Sequence, residues 1–282
     1  MTSLSDQEMA DVTAGIRDAY GRTGWLWAAG PARVYDRLAV VLLADSPLPL
    51  AGARVLDAGA GTGAVSRTAL EAGAEVVAVD NAAAMLAHEH WCRPPAAVAD
   101  IQRLPFGRDR FDLAAVAFVV NHLPDPARGL AELARVVRED GWVMASVFRD
   151  GWDHPAKEAV EDAAAAYGYL PPAWYRELKT RVASHAGRPH VLAAAGHRAG
   201  LVDVEVVHRE VEIGITDAPT LVAWRLGMAN LAPFVESLGP ARRRALVTRA
   251  VETLGPRPPA LRPQVLHLRG RVGNGAMGHR RR

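Results

Sequence analysis

The stretch Ala53-Arg-Val-Leu-Asp-Ala-Gly-Ala-Gly-Thr-Gly-Ala-Val-Ser66 holds a strand end, a glycine turn and a helix start in direct succession. Val55 and Leu56 read as the end of a buried strand. Asp57, Gly59, Gly61 and Gly63 form a tight turn, and Ala64, Val65, Ala69 and Leu70 begin an amphipathic helix. Glycine is required because a ligand approaches backbone closely only where no Cβ intervenes, and because such a turn uses φ values that other residues resist. The first amides of the following helix point into the same space, ready for a carboxylate or a phosphate.

Working outward, Gly59-x-Gly61-x-x-Ala64 satisfies the dinucleotide fingerprint, and a glycine turn with no ligand is a further possibility. Glu75–Asp80 reads as a second strand ending in an acid. Asp80 stands 17 residues beyond Gly63, the distance at which a βαβ unit brings a carboxylate to the ribose hydroxyls of an adenosine ligand. Asn81 is set to cap the next helix, and Met85 to pack near an adenine ring. Ala96–Ile101 reads as a short third strand, and Phe111–Val120 as a nearly continuous apolar fourth, as in a parallel sheet.

The longer string Asp57-x-Gly59-x-Gly61-x-Gly63 differs from the dinucleotide pattern. It resembles the first motif of class I S-adenosylmethionine (SAM) dependent methyltransferases. Asp100 at the end of strand three, then Leu104-Pro-Phe106, then Phe111-Asp112, resembles the small-molecule branch of that family, which includes enzymes of quinone biosynthesis. The resemblance runs from about residue 51 to 149 and implies a seven-stranded, mostly parallel α/β sheet with helices on both faces. It implies SAM as cofactor and S-adenosylhomocysteine as product. Asp100 then meets the adenine amino group and Ile101 packs on the ring. The full expected cofactor set is Asp57, Gly59, Ala60, Gly61, Gly63, Asp80, Asn81, Met85, Asp100, Ile101, Gln102, Ala117, Phe118 and His122.

Composition bounds the rest. A chain of 282 residues, 50% hydrophobic and 23% charged, is long enough for a sizeable core with an appended cap. Net charge is +2, the arginines are scattered, and Arg242–Arg244 and Arg280–Arg282 make no continuous basic stripe, so no nucleic-acid partner is expected. The lone Cys92 excludes an internal disulfide framework and fits a reducing cytoplasm. The polar N-terminus is unlike a signal peptide, and no apolar run reaches membrane-spanning length.

Residues 1–45 read as an N-terminal helical lid, with helices over 5–28 and 31–44 and with Tyr20, Trp25 and Tyr35 as lid aromatics. The SAM-binding core spans 46–150. There Asp125 caps a helix begun by Pro126 and closed by Gly141, and Trp142–Phe148 forms strand five. Residues 151–188 and 215–260 are helical insertions, read as a substrate cap, with dimerisation as the competing use; the oligomeric state is monomer or homodimer. Residues 189–214 and 261–272 supply the remaining core helix and strands, with an antiparallel strand over Val202–Ile213 and a final one over Gln264–Val272. The tail, 273–282, reads as disordered.

The expected activity is methyl transfer to an O, N or C atom of a small, natural-product-like, aromatic or apolar acceptor. Tyr20, Trp25, Trp152, Tyr169, Trp174, Trp224 and Met228 are the expected substrate residues. His122, beside Asn121 at the end of strand four, is the candidate base, and His154 in the cap a second. The family's signature for methylating exocyclic base amines, Asn/Asp-Pro-Pro-aromatic after strand four, is replaced here by Asn121-His-Leu-Pro124, and no cysteine stands there for cytosine chemistry. No His/Cys/Asp cluster has metal-ligand spacing, so no metal is expected. Competing classes are a non-methylating reaction such as cyclisation on the same SAM site, and a non-catalytic SAM-binding partner.

Overall fold

A computed structural model describes residues 6–273 except 89, 124, 184 and 185. The tail from 274 onward, with its expected disorder, lies outside the described residues. Two helices open the chain, α1 (Asp6–Ala29) and α2 (Pro31–Ala44). Gly30 breaks them apart, and Pro31 takes the first helical position of α2, where its missing N–H and fixed φ suit the helix. Val34, Leu38 and Leu42 form the buried stripe of α2 at helical spacing.

The core alternates β1 (Arg54–Ala58), α3 (Ala64–Glu71), β2 (Glu75–Asp80), α4 (Ala83–Ala87), β3 (Ala96–Val98), β4 (Phe111–Ala117), α5 (Pro126–Val136) and β5 (Val137–Phe148). Then α6 (Pro155–Ala165), α7 (Ala173–Glu177) and a π-helical turn (Leu178–Ala183) precede α8 (Pro189–Arg198) and β6 (Leu201–Glu210). Last come α9 (Ala218–Leu226), α10 (Ala232–Ser237), α11 (Pro240–Leu254) and β7 (Gln264–Val272). The seven strands form one sheet in the order β3-β2-β1-β4-β5-β7-β6. Strands β1 to β5 pair in parallel, and β7 is antiparallel to both β5 and β6. Strand order reverses between β1 and β4, which opens a crevice at their carboxyl ends.

Both faces of the sheet are covered. On one, Leu130 and Leu133 of α5 and Leu192 of α8 pack on Leu56, Ala114 and Val116. On the other, Leu42 of α2 and Val65 and Ala69 of α3 pack on Val55, Leu113 and Met144. Each buried leucine contributes about 1.5–3 kcal/mol of transfer free energy. The insertions hold a smaller core of their own, with Val160 of α6, Leu226 of α9, Leu231 just before α10, and Leu246 of α11 in one cluster. Asp45, which ends α2, accepts hydrogen bonds from Arg209 of β6 (2.7 Å and 3.1 Å) and pairs with Nδ1 of the buried His267 of β7 (2.7 Å), so the antiparallel strands are tied to α2.

Three expected boundaries move. The helix begun by Pro126 ends at Val136 rather than at Gly141, and β5 starts at once with Val137. Its pairing with β4 jumps from Phe111↔Val137 to Leu113↔Trp142, and a Cβ on Gly141 would lie 2.7 Å from the Asp112 carbonyl. Gly141 therefore serves a bulge, not a helix end. Strand three stops at Val98, because Asp100 turns the chain back to bridge with Arg103. Strand six runs from Leu201 to Glu210, where its pairing with β7 ends. The helical insertion expected over 215–260 holds three helices, the second beginning at Ala232 and the third at Pro240.

Candidate active site

The glycine turn is held from below and from both sides. Asp57, 1% exposed, accepts from the N–H (2.9 Å) and the hydroxyl (2.6 Å) of Ser66, so it anchors the first turn of α3. Desolvation pushes its pKa up to about 6 against the pull of those two hydrogen bonds. Gly59, Gly61 and Gly63 have φ of 76°, 52° and 91°. The amides of Gly59 and Ala60 both donate to the Val79 carbonyl (2.8 Å and 2.9 Å), which ties the turn to β2. Asp80 closes it: one carboxylate oxygen accepts from Gly61 N–H and the other from Ala82 N–H, both at 2.8 Å. Burial raises the Asp80 pKa, opposed by those backbone bonds.

Strand β4 delivers the opposite wall. Phe118 sits just beyond it at φ 59°, a left-handed conformation that costs a bulky residue about 1–3 kcal/mol. Its ring packs 4.6 Å from that of Phe148 and 5.1 Å from that of Tyr35. The chain then makes a 3₁₀ turn over Val120–His122. Asn121 Oδ1 is buried there with no partner among the described residues. The His122 ring lies 6.2 Å from that of Tyr20 on α1, and burial pushes its pKa down to about 4. Burial also raises the Tyr20 phenol, so both groups are neutral near pH 7.

These walls enclose a cavity of about 940 Å³. The α1–α2 side contributes Tyr20, Trp27 and Tyr35, the sheet contributes Phe118 and Phe148, and the insertions contribute Trp152, Trp224 and Met228. The rings form a connected series: Trp27–Tyr35 at 4.7 Å, Phe148 stacked on Trp152 at 5.1 Å, and Trp152–Trp224 at 6.2 Å. Beyond Trp152 the lining turns polar, with Lys157 and Glu161 of α6 and Arg225 of α9.

Asp57, Gly59, Ala60, Gly61, Asp80, Asn81, Met85, Asp100, Ile101, Gln102, Ala117, Phe118 and His122 all line this one cavity, as do Tyr20, Trp152, Trp224 and Met228. Other expected residues do not. Gly63 caps α3 next to Arg67 and Arg93. His154 caps α6, accepting from Ala156 N–H (3.2 Å) while its other ring nitrogen meets the Pro259 carbonyl (3.1 Å), so its imidazole is occupied structurally. Trp25 is 51% exposed and bonds Glu236. Tyr169 lies in the cap's own core, its hydroxyl donating to the Asn230 carbonyl (3.2 Å). Trp174 packs on Val12, Ile16 and Leu178. Asn81 lines the cavity but caps nothing: Ala82 is the cap residue of α4, and its N–H is taken by Asp80.

The cavity also has walls that the sequence reading passed over: Thr62, Trp27, Val119, Phe148, Lys157, Glu161 and Arg225. Arg93, behind the turn, donates to the carbonyls of His88 and Met85 (both 2.8 Å), leaves Nη1 buried without a partner, and places its charge near Asp57 and Asp80. Gln102 N–H donates to Asp100 (2.8 Å) in a turn where the sequence predicts the end of a strand, and Arg93 carries no local signal.

Comparison with known proteins bears on the same region. A family model described as a methyltransferase domain matches residues 56–145. The demethylmenaquinone methyltransferase of Clavibacter sepedonicus is 30% identical over 219 residues, covering 70% of this chain and 87% of that one. That of Renibacterium salmoninarum is 32% identical over 143 residues, covering 50% of this chain and 59% of that one. Among solved structures, the [4+2]-cyclase SpnF superposes with a TM-score of 0.51 at 20% identity, over 85% of this chain and 81% of its own, a likeness of fold.

Proposed function

The chain belongs to the class I S-adenosylmethionine-dependent methyltransferases, and on that premise we propose that it methylates a planar aromatic or apolar small molecule, natural-product-like, inside the cavity of about 940 Å³. The observation that carries this reading is the cradle. Left-handed Gly59 and Gly61 and the Asp80 carboxylate share one wall of a cavity whose other end is lined by aromatic rings.

The residues fit the cofactor. A Cβ on Gly59 would overlap Val119, and Gly61 takes φ 52°, so the turn favours glycine at the first position for space and backbone and at the second for backbone alone. Asp80 has lone pairs left on both oxygens after its two backbone bonds, which suits a ribose diol. Asp100 and Ile101, which the family resemblance assigns to the adenine, line the same cavity, and the buried Met85 turns its methyl end toward Gly61. SAM bound there supplies an electrophilic methyl group on a sulfonium. The chain's own residues then orient the acceptor and exclude water, and orientation alone is worth up to roughly 7–11 kcal/mol of a barrier.

His122 belongs to that orienting wall. A conjugate acid with pKa of about 4 is a weak base near pH 7, so the ring is suited to accept a hydrogen bond from an acceptor hydroxyl, not to deprotonate it beforehand. An acceptor hydroxyl fits that ring, and an amine N–H fits it equally. The unpartnered Asn121 Oδ1, one residue away, offers a second acceptor for the same hydroxyl or for the cofactor's amine.

The test is turnover with methyl-labelled SAM and a set of phenolic acceptors, following labelled product and S-adenosylhomocysteine together. Equimolar appearance of the two supports methyl transfer. Product without S-adenosylhomocysteine would instead mean a rearrangement or cyclisation on the same site. NADH binding in place of SAM, by calorimetry, would overturn the reading altogether.

A further inference from the structure

Between the stacked pair Phe148–Trp152 and the far end of the cavity, the lining changes from aromatic to charged, with both signs present. Arg225 on α9 is 5% exposed, yet only one of its nitrogens is paired with a side chain: Nη2 lies 3.3 Å from Glu161 Oε1. Its Nε is buried without a partner, and so is Nε1 of the adjacent Trp224. Buried N–H groups are almost always hydrogen-bonded, and leaving one unmade is costly. The Arg225 guanidinium lies 5.3 Å from the centre of the Trp224 ring, so two donors with unmet hydrogen-bonding capacity stand next to each other in one cavity wall.

Lys157 on α6 adds to the same end. Its ammonium lies 3.9 Å above the Trp152 ring, donates to the Trp152 carbonyl (3.0 Å) and sits 3.3 Å from Asp153. Burial lowers its pKa to about 8, and the neighbouring Arg225 pushes it the same way. Two cations that repel each other inside a wall are relieved by one anion. The local acids do not fill that place. Glu161 is already held by Arg225, and the Asp153 side chain is 80% exposed, where water screens it. Glu158 and Asp162 also line the cavity and are exposed.

We propose that this end of the cavity is an anion subsite: Arg225, with Trp224 Nε1 and Lys157, receives the carboxylate of an aromatic acid acceptor whose ring system lies along Phe148 and Trp152. The proposal rests on the methyl-transfer reading, because it places the acceptor's charged end away from the glycine turn and leaves its far end toward His122. Arg225 suits the task, since its planar fork presents several N–H donors to one carboxylate.

The experiment is calorimetry on the full chain saturated with S-adenosylhomocysteine, titrated with matched acid and amide pairs: benzoate against benzamide, and 2-naphthoate against 2-naphthamide. The acids are expected to bind about 10- to 100-fold tighter than their amides, the range of a charge-assisted hydrogen-bonded contact. Arg225→Gln and Lys157→Gln should each shrink that ratio towards one while leaving S-adenosylhomocysteine affinity within about twofold. Lys157 is partly exposed, so its variant reports even if the Arg225 variant does not fold. Equal binding of acid and amide, or silence toward both members of both pairs, overturns the subsite. Loss of S-adenosylhomocysteine binding in the two variants overturns it differently, by assigning the anion to the cofactor's own carboxylate. Failure of the parent chain to bind S-adenosylhomocysteine at all is the distinct failure of the methyltransfer reading.

Discussion

Gly59→Ala tests the glycine turn most directly, because two separate costs are visible at that position. The residue has φ 76°, where an L-residue other than glycine loses roughly 1–2 kcal/mol from its Cβ. That new Cβ would also overlap Val119 Cγ2 and come within 3.3 Å of Val119 Cβ. Valine is stiff at χ1 and cannot swing clear, so overpacking adds about 1–3 kcal/mol. The expected destabilisation is about 2–5 kcal/mol, read from urea unfolding of the ligand-free chain, with a matching loss of S-adenosylhomocysteine affinity by calorimetry. Val119→Ala in the same chain removes only the second cost. The double variant should therefore recover about 1–3 kcal/mol relative to the sum of the singles, while the φ penalty remains. A Gly59→Ala chain within about 0.5 kcal/mol of the parent would refute the strained-turn argument. Strict additivity of the two substitutions would refute the clash with Val119.

Asp80→Ala should weaken S-adenosylmethionine by about 2–3 kcal/mol, through lost ribose contacts and a freed Gly61 N–H; unchanged affinity in a titration would place the ribose elsewhere. For His122, the neutral ring is the useful form, and with a pKa of about 4 it stays neutral until the pH falls through that value. The acid limb of kcat/KM is thus expected near 4, and a limb near 6.5 that disappears in His122→Asn would contradict the burial argument. His267 has its pKa lowered by burial, against the pull of Asp45, so the unfolded chain binds its proton first. Stability from keeping it neutral is complete above about pH 6.5 and declines as the pH falls below that, which His267→Asn should flatten in urea midpoints taken at pH 7.5 and 5.5.

The glycine-turn end of the cavity was readable because its signals are local. A turn that needs three left-handed glycines, an acid at the end of β2 and an acid after β3 are each written within a few residues, and the parallel sheet brings their strand ends together. The aromatic end was only partly readable. Counting aromatic residues does not say which way they face: on α1, Tyr20 and Trp27 are seven apart and share a face, whereas Trp25 and Trp27 are two apart and point to opposite sides. Trp174 and Tyr169 were taken up by helix packing for the same reason. Lys157 and Arg225 meet only because α6 and α9 pack together within the insertions, and no spacing along the chain reveals that. The end of α5 was misread because Val136 and Val137 are both apolar, so periodicity changes from helix to strand without a break, and the bulge glycine lies four residues later.

The ring series in the cavity also turns the protein into its own optical instrument. Of seven tryptophans, Trp27, Trp152 and Trp224 stand in the cavity wall. Indole emission shifts with the polarity and electric field around it. The Lys157 ammonium, 3.9 Å above Trp152, holds that ring in a strong local field. A molecule that enters packs against this ring series and changes the field at Trp152. Occupancy is therefore encoded in the colour and intensity of the native fluorescence, and ligand entry and exit can be timed on the unlabelled chain.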